Sequence, residues 1–113
     1  MATQEPDKQA KLPGTYKLFA SKFPELTEAH EKVQQTVLGV GPLDAKTCEL
    51  IKIGISIGAG LESAVKAHVR KAVENGATEK EIDQAVLLAM NTLGFPRTVA
   101  AWSWVHAQLE RKD

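Results

Sequence analysis

Apolar residues recur along this chain with the period of helices. The clearest run is Leu61, Ala64, Val65, His68, Val69, Ala72 and Val73, an unbroken i, i+3, i+4, i+7 stripe. Lys66, Arg70, Lys71 and Glu74 fall on the opposite face. Asn75-Gly76 supplies a left-handed stop, so the pattern predicts a helix over 61–75. Thr78 through Glu81 matches a capping box, and the helix it opens carries Ile82, Ala85, Val86, Ala89, Met90 and Leu93 up to the stop at Gly94. Pro96 starts a last helix whose apolar side is Val99, Ala100, Trp102, Val105 and Leu109.

Upstream, Asp44 predicts the N-cap of a helix over 45 to about 58 that is apolar on nearly every side, with Leu50, Ile51, Ile53, Ile55 and Ile57. Its β-branched isoleucines also suit a strand; the cap, the length and the absence of turn residues favour a helix buried from several directions. Gly54 and Gly58 lie one turn apart and would let another helix approach closely. Before it, Pro24 opens a helix with Leu26, Ala29, Val33 and Val37 on one face, ending at Gly39. After the turn at Pro13-Gly14, Thr15 can cap a short helix carrying Tyr16, Leu18 and Phe19. Residues 1–13 are polar without an apolar period and read as a mobile arm. The expectation is an all-α protein of about six helices in a single domain over residues 14–113.

Composition narrows the function classes. The chain has 113 residues, enough for one modest core, and 14 basic residues balance 14 acidic ones. With no basic cluster, a nucleic-acid or anionic-membrane surface is not expected. No secretory signal is visible, and the most apolar stretch, Leu50 to Leu61, carries Lys52 and is too short to span a bilayer. The expected setting is the cytoplasm. The surplus of apolar surface around the third helix and the two tryptophans near the C-terminus predict a homo-oligomer.

Two ionisable residues stand where apolar ones belong. His68 lies within its helical stripe; it is either a core histidine bonded to a backbone carbonyl or a proton donor and acceptor in a pocket. Glu49 opens an otherwise apolar run, and a carboxylate there is either solvated or favoured by the helix dipole, or paired in the interior. If the third and fourth helices pack antiparallel through the Gly58–Gly60 turn, Glu49 can orient His68 or share its proton. Glu62, in the first turn of the fourth helix, is either a helix-dipole carboxylate or part of the mouth of the same cavity. Cys48 is the single cysteine and has no partner for a two-thiol redox centre. His30 and His106 show no ligand spacing, so no metal site is expected.

With those residues in view, the chain resembles the carboxymuconolactone decarboxylase family, which includes the alkylhydroperoxidase D-like proteins. The likeness runs from about Leu43 to Ala101. It rests on Leu43-Asp44-x-Lys46-Thr47-x-Glu49-Leu50-Ile51, His68-x-Arg70-Lys71-Ala72, Gly76-Ala77-Thr78-x-x-Glu81-Ile82 and Gly94-Phe95-Pro96. The resemblance implies the alkylhydroperoxidase D-like helical fold, assembled as a trimer or hexamer. In the peroxidase branch a Cys-x-x-Cys pair precedes the histidine; here those positions hold Leu61 and Ala64. Hydroperoxide reduction needs an attacking and a resolving thiol, so that activity is disfavoured. What remains resembles the decarboxylase branch, which implies a lyase without metal or organic cofactor, acting on a small carboxylated lactone or related acid. Its catalytic residues would be His68 as general acid-base and Glu49 as its partner, with Leu61, Glu62 and Ala64 about the pocket. The alternative is an oligomeric family member that binds a small ligand or partner without chemistry. The group that would bind a substrate carboxylate is not identified by the resemblance.

Overall fold

A computed structural model describes residues 14–111, and the expected arm over 1–13 lies outside the described residues. The fold is all-α: among the described residues there are seven helical segments and no strand. The chain divides into two compact units, one ending at Pro42 and including Arg111, the other running from Leu43 to Glu110.

The first unit is a helical hairpin of α1 (Gly14–Lys22) and α2 (Pro24–Leu38). Thr15, expected as a cap, lies inside α1. Pro24 stands in the first turn of α2, where its missing N–H costs nothing. Gly39 ends α2 with φ −85°, a right-handed conformation, and not by the left-handed stop that glycine commonly gives. The Phe19 and Phe23 rings meet at the bend with centroids 5.1 Å apart, tilted 48° to one another. No residue of either helix is buried; Leu26, Val33 and Val37 are all more than half exposed.

The second unit holds α3 (Ala45–Ala59), α4 (Glu62–Glu74), α5 (Glu79–Leu87), α6 (Met90–Leu93) and α7 (Phe95–Leu109). Asp44 caps α3 as expected, its carboxylate accepting from the Thr47 N–H at 2.8 Å. Gly60, with φ +72°, ends α3: its N–H reaches the Ile57 carbonyl and the Leu61 N–H reaches Ser56. This is the paired closure that only a left-handed residue permits. Gly76, with φ +94°, closes α4 in the same way through Val73 and Ala72. The Thr78–Glu81 capping box is present in full.

Three expectations change. The helix expected from Thr78 to Leu93 breaks at Leu88 and Ala89, where the Ala89 N–H turns to the nearer Val86 carbonyl and tightens the last turn. On α7 the buried stripe is Thr98, Ala101 and Val105, while Val99 and Trp102 are exposed. Thr98 can lie there because its hydroxyl donates to the Gly94 carbonyl at 2.8 Å. Third, α3 is not buried from several directions. Its inward face is Glu49, Ile53, Ser56 and Ile57, and Ile51 and Ile55 are exposed. The core gathers Ile53 and Ile57 of α3 with Val65 and Val69 of α4, Ile82 and Val86 of α5, and Ala101 and Val105 of α7.

Candidate functional site: a buried glutamate and its two partners

The two-residue link at Gly60 and Leu61 turns α4 back along α3, the most extensive helix pairing in the unit. That return brings together the two ionisable residues marked in the sequence. Glu49 Oε1 and His68 Nδ1 lie 2.7 Å apart. Glu49 is only 3% exposed. It is the fifth residue of α3, past the first turn where the helix dipole acts, so the dipole does not account for it. A carboxylate so deep requires specific partners, and it has two. The second is Lys52, one turn further along α3, with Nζ 4.0 Å from Oε2.

The direction of this hydrogen bond follows the charge state of Glu49. An ionised carboxylate only accepts, so Nδ1 of His68 carries the hydrogen and donates it. Nε2 then carries a lone pair in the neutral ring and an N–H in the imidazolium. The imidazole, with its side chain 20% exposed, lies at the edge of the core. The reading of His68 as a core histidine bonded to a backbone carbonyl does not describe it.

The other marked residues are distributed differently. Glu62 pairs with Lys66 at 3.1 Å on the surface of α4. Leu61 is exposed and Ala64 half-buried on the same helix side as His68. Neither of the two described grooves is lined by Leu61, Glu62, Ala64, Glu49 or His68. The larger groove, about 610 Å³, lies where Leu50, Ile51, Gly54 and Gly58 of α3 face Ala85, Leu88 and Leu93. The other, about 510 Å³, belongs to the first unit and includes Phe19, Leu26, His30 and Val33. The Cys48 thiol is turned to the Leu43 carbonyl at 3.7 Å. Among the described residues no three His, Cys, Asp or Glu side chains gather as metal ligands would. No described helix is long and apolar enough to cross a membrane.

The arginines are placed as well. Arg97 Nη1 donates to the Ile57 carbonyl at 2.8 Å, so its charge sits on the C-terminal end of α3. Arg70, set on the polar face by the sequence pattern, has a side chain only 12% exposed, with Nε 3.9 Å from the exposed Glu74. Lys46 bridges α3 to Glu81 of α5 at 3.1 Å. Sequence reasoning passed over Lys52, although its i, i+3 spacing from Glu49 is the signal that pairs them.

The model of the carboxymuconolactone decarboxylase family matches residues 24–107. The chain belongs to this family. The match extends beyond the 43–101 expected from motifs alone and takes in α2. Among curated proteins, two uncharacterized proteins of Methanocaldococcus jannaschii are similar. One is 31% identical over 77% of this chain and 81% of its own length. The other is 33% identical over 71% of this chain and 78% of its own length. No solved structure matches the chain.

Proposed function

We propose that this member of the family is a carboxy-lyase that decarboxylates a small carboxylated lactone or related acid by side-chain acid-base chemistry alone. One observation carries the reading: the 2.7 Å contact that joins a buried Glu49 to Nδ1 of a partly exposed His68. In the proposed step the bond to the substrate carboxylate breaks and carbon dioxide leaves. The electron pair stays on carbon as enolate-like charge, and the Nε2–H of imidazolium His68 delivers the proton. The ring ends neutral and is reprotonated from water. Glu49 acts through His68 as a positioning residue, fixing the ring and stabilising its charged form. A peroxidase is disfavoured, because Leu61 and Ala64 stand where that chemistry needs thiols.

We further propose a cytoplasmic homo-trimer or homo-hexamer, supported by Ile51 and Ile55 of α3, which stand exposed among the described residues. The test is release of carbon dioxide from a panel of small lactone acids by the parent and by His68→Gln. Turnover that His68→Gln abolishes supports the lyase. Turnover equal in both proteins refutes it.

A second reading, an oligomeric binding protein without chemistry, is favoured by the larger groove, which is mostly apolar and does not involve His68. Its mark would be ligand or partner binding that Leu88→Glu abolishes while His68→Gln leaves it intact.

A further inference from the structure

Glu49 holds one partner on each oxygen: His68 on Oε1 and Lys52 on Oε2. The two contacts differ in kind. His68 is hydrogen-bonded at 2.7 Å, whereas Lys52 at 4.0 Å is an ion pair beyond hydrogen-bond range. The carboxylate therefore takes up none of the three ammonium donors. The Lys52 side chain is only 25% exposed, so its stem lies packed along the protein and brings the ammonium beside Glu49. Other cations of the unit are engaged elsewhere: Arg97 on the end of α3, Lys46 on Glu81, Lys66 on Glu62. Lys52 shares its carboxylate with the imidazole.

We propose that Lys52 Nζ and His68 Nε2 together form an anion-binding subsite for the carboxylate of a small organic acid. Glu49, too deep to meet a ligand, is the group that fixes both. The carboxylate as ligand class rests on the lyase reading above. The charges balance: with a neutral imidazole, Lys52 and Glu49 cancel, and a ligand carboxylate adds one negative charge. That charge is matched when His68 binds it as imidazolium, with Nε2–H and the ammonium both donating. Ligand and proton thus arrive together, and the proton already stands on the nitrogen that the decarboxylation needs. Lys52 also supplies the carboxylate-binding group that the sequence motifs left unidentified.

The test is a titration of isotope-labelled parent protein with sodium acetate at constant ionic strength, following the His68 ring and the Lys52 Cε signals by NMR. Both should shift together and saturate. Lys52→Met should weaken acetate about tenfold or more, and Lys52→Arg should keep most of the affinity, because the lost contact is charge-assisted. Shifts in the parent that do not saturate, or that spare either residue, overturn the subsite whether or not the variants fold. Equal affinity in a folded Lys52→Met overturns it as well. The two proposals fail separately. Acetate binding through Lys52 without turnover of any lactone acid leaves the subsite and removes the lyase. Turnover with an unchanged KM in Lys52→Met removes the subsite and leaves the lyase.

Discussion

Glu49 and His68 stand 19 residues apart in sequence and 2.7 Å apart in space, on helices joined by a left-handed glycine. An ionised Glu49 only accepts, and so favours the Nδ1–H tautomer of His68. His68→Gln should lower turnover by about 10²–10⁴-fold, the usual reach of a positioned acid-base group. Glu49→Gln should lower it less, because an amide can either accept from Nδ1 or donate to it. The ring's ¹⁵N shifts distinguish positioning from mere packing. The parent should show the Nδ1–H form and Glu49→Gln a mixture of tautomers. An unchanged tautomer in the variant would remove Glu49 as the positioning group.

Two carboxylates set an acid limit on stability. The backbone N–H of Thr47 holds the Asp44 carboxyl below the ordinary carboxylate range. The backbone N–H of Thr78, followed by Lys46, does the same for Glu81. A group whose pKa is lower folded than unfolded contributes stability above its unfolded value, and that contribution vanishes as pH falls through the folded one. Urea midpoints of the parent should therefore drop as pH falls below about 4, the ordinary carboxylate value. Asp44→Asn and Glu81→Gln keep much of the capping geometry but cannot titrate, so together they should flatten the drop. An acid slope as steep in the double variant as in the parent would place the acid sensitivity elsewhere.

The end of α3 couples two positions. Gly60 has φ +72°, and a Cβ built there would meet Arg97 Nη1 at 3.3 Å. Gly60→Ala should cost about 1–2 kcal/mol for the left-handed backbone alone. It costs more if Arg97 cannot shift. Arg97→Ala should cost about 1–3 kcal/mol through the lost charged hydrogen bond to Ile57. The double variant should be less destabilised than the sum, since removing the guanidinium clears the space. Strict additivity in chemical denaturation would show that Arg97 yields freely.

Much of this was legible in the residues. Asp44, Gly60, Gly76 and the Thr78–Glu81 box act locally, through hydrogen bonds a few residues long, and each ends or begins a helix as its chemistry dictates. Glu49 and His68 were legible as misfits in apolar patterns, and the short turn between their helices made the meeting foreseeable. The break at Leu88 and Ala89 was not legible, because both residues are good helix formers and periodicity continues through them. Nor was the rotation of α7, where an apolar count favours Trp102 and Val99 over Thr98. A threonine that satisfies its hydroxyl on the preceding turn is as buriable as valine, and periodicity does not register that bond. The surroundings of Ile51 and Ile55 depend on what covers them, which composition cannot rank.

Gly54 tests that cover. A Cβ built on it meets nothing within 4 Å, and it lies at the larger groove beside the exposed Ile51. For the chain alone, Gly54→Ala should stabilise α3 by up to about 1 kcal/mol, the helix-propensity difference. Gly54→Leu should also fold, because no described residue outside α3 lies within 4 Å of that Cβ. If a second copy packs on this face, the two substitutions part company. Alanine would be tolerated, whereas leucine would hold the helices apart and lower the molar mass measured by light scattering. The circular dichroism spectrum would stay helical in both. A Gly54→Leu protein with the parent's mass would exclude this face from the assembly and leave the groove as a ligand surface.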